Sequence, residues 1–286
     1  MFAPRRSDPR RWLHAERLVA RGRPGRFWIR LAPCNPRHAF VELWLPGGPG
    51  TPALSQYQAV VTAPGGAASA ALGAGEALTL SRDGRALAAL VFARRVAQGE
   101  HGTMLLLAVG PTGGRHADAG ACAPAGVWCV ALRSQATAEA RVHAWVERDD
   151  AIEPPRRPQQ TFFERDPDDD PATPSVNDAC TLSSLAHGAR VVVAAGLVAS
   201  DGCAVDDASR AQRRLPDGRL APVAQQLAPS ERGYTLSGVA VPGFHSGMHA
   251  TLNGSSAAVP QVARRLAAQA DGSAAASAGS AATVRP

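Results

Sequence analysis

The segment Phe40-Val41-Glu42-Leu43-Trp44-Leu45-Pro46-Gly47-Gly48 runs apolar over the length of one strand and then stops at a proline and two glycines. It is the pattern of a β-strand closed by a turn. The same unit recurs outward on both sides. Phe27-Trp28-Ile29-Arg30-Leu31 precedes it, and Gln58 to Thr62, Ala86 to Phe92, Thr103 to Val109, Val127 to Leu132 and Ala140 to Val146 follow, with Gly and Pro between them. No amphipathic helix interrupts the series. Short strands at this spacing predict an antiparallel β-sandwich of jelly-roll type over residues 26–150, preceded by an N-terminal segment, 1–25.

Composition narrows the class. The chain has 286 residues, of which 45% are hydrophobic, 19% charged and 5% aromatic, so it is neither disordered nor collagen-like and needs no disulfides to bury a core. No apolar run reaches the roughly 18 residues of a membrane-spanning helix. No secretory signal is recognisable at the start, and a cytoplasmic location is the default expectation. Five cysteines, Cys34, Cys122, Cys129, Cys180 and Cys203, form no Cys-x-x-Cys pair. They read as free thiols, with no metal or cofactor implied. The formal charge of +6 comes from arginine alone, scattered in pairs such as Arg94-Arg95 and Arg213-Arg214 and not gathered on one face, so nucleic acid is not an expected partner.

Texture changes after the sandwich. Residues 151–174 mix six prolines with Asp166, Asp168, Asp169 and Asp170, and read as a solvated linker lacking the residue order of a calcium loop. Residues 175–270 read as mixed α/β: a short helix over Asn177–His187, a buried strand over Ala189–Leu197, and a helix over Ala257–Gln269. The tail 271–286 is Ala, Ser and Gly without periodicity, and disorder is expected there.

Chemistry concentrates in Thr251-Leu252-Asn253-Gly254-Ser255-Ser256-Ala257-Ala258-Val259-Pro260-Gln261. Gly254 allows a tight backbone approach, two hydroxyls follow, and a helix begins with Pro260 expected inside its first turn. A serine there sits at the positive end of a helix, where developing negative charge is stabilised. It is also where a serine simply caps a helix by accepting from a first-turn amide.

The string resembles the nucleophile motif of the subtilases, the subtilisin-like serine peptidases, Asn-Gly-Thr-Ser-x-Ala-x-Pro followed by a helix. Asn253, Gly254, Ser255 and Pro260 support the match, and Ser256 falls on the nucleophile. Upstream, Asn177 to Gly202, with its helix, its Ala189–Gly196 strand and its Ser200-Asp201-Gly202 turn, resembles a family segment, and Asp217 to Val223 with Leu227-Ala228-Pro229 resembles the family's Lys-Pro-Asp and Ala-Pro-Gly region with its charged residues replaced. The sandwich is similar to a β-domain inserted before the nucleophile in some bacterial subtilases. The resemblance implies a serine endopeptidase acting on peptide or protein substrates.

The family's other catalytic motifs are missing. No strand ending in Asp-x-Gly precedes Ser256, and Asp83-Gly84 sits in a turn between strands. His101-Gly102-Thr103 matches the family's His-Gly-Thr, making His101 the candidate base, although a strand follows where the family has a helix. His187, His245 and His249 read as loop histidines, and no Ala-Gly-Asn string supplies the oxyanion asparagine. The expectation is a truncated or catalytically incomplete form, with Met1 a late start in a longer frame, and an isolated chain that is inactive. Two alternatives stand beside it: a non-catalytic β-sandwich binding module on a peptidase remnant, and one half of a split peptidase completed by another polypeptide.

Overall fold

The computed structural model describes residues 13–47, 51–93, 103–113, 122–147, 159–169, 175–177, 180–181, 190–203, 205, 212–214, 220–233 and 238–280, with backbone alone at 212–214, 220–222 and 271–280. The chain divides into two compact units, Met1–Asp178 and Ala179–Pro286.

The first unit is an antiparallel sandwich. One sheet has seven strands: β1 (His14–Val19), β3 (Ala39–Trp44), β6 (Ala77–Arg82), β7 (Arg85–Phe92), β8 (Met104–Val109), β10 (Ala140–Val146) and β12 (Val176–Asn177), in the order β12-β1-β10-β3-β8-β7-β6. The other has five: β2 (Gly25–Leu31), β4 (Tyr57–Thr62), β5 (Leu72–Gly73), β9 (Gly126–Ser134) and β11 (Phe162–Glu164), in the order β11-β2-β9-β4-β5.

The alternation seen in sequence is what closes the core. In β3, Val41 and Leu43 are fully buried while Phe40 and Glu42 face away from the core. Register aligns them in rows across the sheet, Ala144 beside Leu43, Leu105 and Phe92, and Val146 beside Val41, Leu107 and Leu90. The opposing sheet contributes Phe27, Ile29, Tyr57, Trp128, Leu132 and Phe163 to the same cluster. Each large side chain so buried contributes about 1.5–3 kcal/mol of transfer free energy. Asp83 (φ 52°) and Gly84 (φ 74°) form the two-residue turn of the β6–β7 hairpin, where both positions need left-handed backbone.

The sandwich also draws on residues outside 26–150. β1 pairs with β10 from within the N-terminal segment, and β11 and β12 come from the stretch beyond Asp150. The acidic stretch is not simply solvated: Arg17 reaches both Asp166 and Asp169, with side-chain exposures of 14%, 13% and 10%, and Ser175 donates to Asp169. Burial alone would raise the Asp169 pKa, but the hydrogen bonds from Arg17 and Ser175 and the guanidinium charge outweigh it and hold the carboxyl below its ordinary value.

The second unit is smaller. β13 (Ala194–Val198) and β16 (Gln226–Glu231) run parallel, β14 (Gln212–Arg214) and β15 (Leu220–Pro222) form a hairpin in the connection between them, and β17 (Val239–Pro242) pairs with β18 (His249–Leu252). Helix α1 (Ser255–Ser280) packs on the parallel pair through Ala258, Val262 and Leu266, against Ala228 and Ala194. The helix runs on through residues 271–280, where disorder is expected from composition; alanine is the strongest helix former, and the helix already nucleated upstream continues through it. The helix anticipated over Asn177–His187 falls almost entirely outside the described residues.

Candidate functional site

Strand β18 ends at Leu252, Asn253 follows, and Gly254 turns the chain into α1 with φ +77°. An L side chain at that position is strained, so glycine is the residue that makes the turn. The Ala257 N–H donates to the Gly254 carbonyl at 3.0 Å, so the helix opens with a tight first turn capped by Gly254. Ser255 and Ser256 are the first two helical residues. Both are exposed, and among the described residues neither hydroxyl forms a hydrogen bond. The capping role open to them in sequence is therefore not taken up.

Pro260 is the sixth residue of α1, in its second turn and not its first, because the helix starts at Ser255, two residues before the expected Ala257. It has no N–H to give to the carbonyl of Ser256, four residues back, which leaves that carbonyl without its helical partner. Two residues without an assigned role in the sequence reading anchor the helix. Gln261 Nε2 donates to the carbonyl of Pro229 at 2.6 Å and to that of Ala257 at 2.7 Å, and Arg265 donates to the carbonyl of Leu227 at 2.6 Å. Their spacing of four places both on one helix face, the signal by which they were legible.

The strand beneath is held closely. Ser230 is fully buried at a register shift between β13 and β16, with its side chain close against Gly196, whose strand partner is Ala228. Glu231, also buried, accepts the Gly238 N–H, and the Ala199 N–H donates to the Glu231 carbonyl at 2.8 Å. Glu231 thus ties the end of β16 to Gly238, the residue before β17, and to Ala199 after β13.

His101 and His187 lie outside the described residues. His249 is in β18, paired with Pro242, and His245 is in the β17–β18 turn; both are exposed. Among the described residues, no histidine and carboxylate accompany Ser256 as a triad would require. Asp83 and Gly84, the one Asp-Gly turn weighed as the family's aspartate, close a sandwich hairpin. Among the described residues, no three His, Cys, Asp or Glu are grouped to hold a metal ion, and no described helix is long and apolar enough to cross a membrane. Asn253, Gly254, Ser255 and Ser256 thus form a strand–turn–helix junction whose serine side chains stand in solvent at a helix N-terminus.

No protein-family model matches the chain, and no curated protein matches it. A solved structure does: that of the Clostridium perfringens CspB protease, with a TM-score of 0.57 at 14% identity, over 90% of this chain and 45% of that one. The chain therefore spans about 45% of the length of that structure. The likeness is a distant one of fold, to a subtilisin-like protease, and it takes in both the β-rich and the α/β parts of the chain.

Proposed function

We propose that this chain is the nucleophile-bearing portion of a subtilisin-like serine endopeptidase fold, with Ser256 in the nucleophile's place, and that it is catalytically incomplete by itself. The observation that carries the reading is the junction of β18, Asn253, Gly254 and α1, with the helix bonded to a parallel strand through Gln261 and Arg265. Such a junction points a hydroxyl and the first helical N–H groups at one region of solvent, where a tetrahedral oxyanion would be stabilised. A serine hydroxyl is a weak nucleophile without a base to take its proton, and removing the histidine from a complete triad costs about 10⁶ in turnover. The expected result with unfolded casein is no hydrolysis above that of Ser256→Ala. Hydrolysis abolished by that substitution would overturn the claim of incompleteness.

A split peptidase is the second reading, favoured by one observation. β13 and β16 form a two-stranded parallel sheet among the described residues, and Leu227 on β16 is 51% exposed. Parallel sheets are ordinarily wider and covered on both faces. On this reading a second polypeptide carrying the Asp and His motifs restores hydrolysis when mixed with this chain, and fails to do so with Ser256→Ala.

A further inference from the structure

Of the four outer edges of the two sandwich sheets, three are formed by strands of two or three residues, β12, β11 and β5. The fourth is β6, six residues long, Ala77-Leu78-Thr79-Leu80-Ser81-Arg82, paired with β7 on one side only. Sheet edges are ordinarily blunted by short strands, by proline, by charge or by a covering segment. The stretch from Ala77 to Ser81 carries neither proline nor a charged residue.

The ladder to β7 decides which backbone groups this edge offers. The Phe92 N–H donates to the Glu76 carbonyl at 2.9 Å, and from there Leu78 pairs with Leu90 and Leu80 with Ala88. Bonded and non-bonded positions alternate in an antiparallel pair, so Leu78 and Leu80 turn their N–H and C=O groups to β7 while Ala77, Thr79 and Ser81 turn theirs outward. All of those outward residues are exposed, and among the described residues no strand or loop bonds to them from that side. Side chains alternate as well. Leu78 and Leu80 pack half-buried at the margin of the apolar cluster, and Thr79 faces the other way.

This edge is complementary to itself. Two copies of β6 laid antiparallel about a two-fold axis at Thr79 put Ala77 opposite the partner's Ser81, Leu78 opposite the partner's Leu80 and Thr79 opposite the partner's Thr79. Every outward N–H then meets an outward carbonyl, and the leucines meet as close, non-bonded pairs. At both ends Glu76 meets the partner's Arg82. Both side chains are exposed; the Glu76 carboxylate accepts the Gly73 N–H through Oε2 at 2.7 Å, and Arg82, across the hairpin from Arg85, forms no ion pair among the described residues. Slipping the register by two residues leaves an outward position of each strand unmatched and sets Arg82 against the partner's Ala74 or the partner's Leu78.

We propose that β6 is a dimerisation edge, through which two copies of this chain join their seven-stranded sheets into one continuous antiparallel sheet. Glu76 and Arg82 fix the register, and Leu78 and Leu80 complete their burial against the same residues of the second copy. The contact is isologous and closes at two copies.

One strand from each copy makes a small interface, so the dimer forms in a concentration-dependent way. Sedimentation velocity of the full chain from about 1 μM to about 500 μM tests this, with a monomer–dimer equilibrium as the expected result. Thr79→Lys sets like charges directly opposite each other on the axis without touching the ladder to β7, and is expected to leave a monomer throughout, with an unchanged circular dichroism spectrum. Arg82→Glu opposes carboxylates at both ends and is expected to weaken association about tenfold at low salt; adding Glu76→Arg to it reverses the pairs and restores association. Hydrogen exchange resolved to single amides should show protection that grows with concentration at Ala77, Thr79 and Ser81, but not at Leu78 and Leu80, which already bond to β7. A chain that stays monomeric over the whole range overturns the proposal. So does a dimer that Thr79→Lys leaves intact, or one in which the amides of Ala77, Thr79 and Ser81 gain no protection.

Discussion

Ser256 and Cys129 illustrate opposite outcomes for nucleophilic side chains. Ser256 stands in solvent at a helix N-terminus with no base beside it among the described residues. Cys129 lies on the outer face of β9 yet is 9% exposed; burial, with a smaller contribution from Asp166 and opposed by Arg26 and Arg17, pushes its pKa up to about 11. Iodoacetamide at pH 8 is therefore expected to modify the exposed Cys34 and Cys203 and to spare Cys129 in the native chain; equal rates at all three would contradict this. Asp169 supplies a second test. Its folded-state pKa lies below the unfolded value, so the stabilisation is present above about pH 4 and is lost as pH falls through the folded pKa. Asp169→Asn is expected to cost about 1–2 kcal/mol in urea denaturation at pH 7, and the difference from the parent should shrink below pH 4. The Ser256 string was legible because its residues are contiguous. The contacts of the buried His14 with His143 and Asn177 were not, because those partners lie 129 and 163 residues away in the chain.

Among the elements, β13 and α1 depend on small residues in tight places. A Cβ on Gly196 would overlap Ser230 Oγ and come within 2.8 Å of Ser230 Cβ, and Ser230 is fully buried. Gly196→Ala is expected to destabilise the second unit by about 1–3 kcal/mol, and Ser230→Gly to relieve part of that cost when the two are combined. Additive losses in a double-substitution cycle would contradict the overlap. Most strands of the sandwich were legible because alternation and turn residues are local signals, as in Val41-Glu42-Leu43 and Asp83-Gly84. β1 and β6 were not, nor were β5, β11 and β12, which are two or three residues long and made strands only by pairing with β4, β2 and β1. Pro260 falls two positions later in the helix than expected because Gly254 turns the chain so that the helix begins at Ser255 and not at Ala257.

At the scale of the molecule, the described residues of the two units bury cores of unequal size. Among the described residues, the sandwich buries one extensive apolar cluster from both sheets, whereas the cluster in the second unit comprises Ala228, Ala258 and Val262 with Ala194 and Leu266 at its margin. Native-state hydrogen exchange is expected to protect β3 and β9 more strongly than β13 and β16; the reverse order would contradict this apportioning of the core. The coarse architecture, a β-sandwich followed by an α/β portion, could be read locally. Where the sandwich draws its outermost strands could not, since that is set by pairings between distant segments. The claim on which the functional reading rests is that Ser256 occupies a nucleophile's position without being activated in this chain. Fluorophosphonate labelling of the purified native chain tests it most directly, with Ser256→Ala and heat-denatured protein as controls, because covalent capture requires an activated serine and no knowledge of substrate. The expected result is no labelling above the controls. Labelling of Ser256 that both controls abolish would contradict the reading and place a working base beside it.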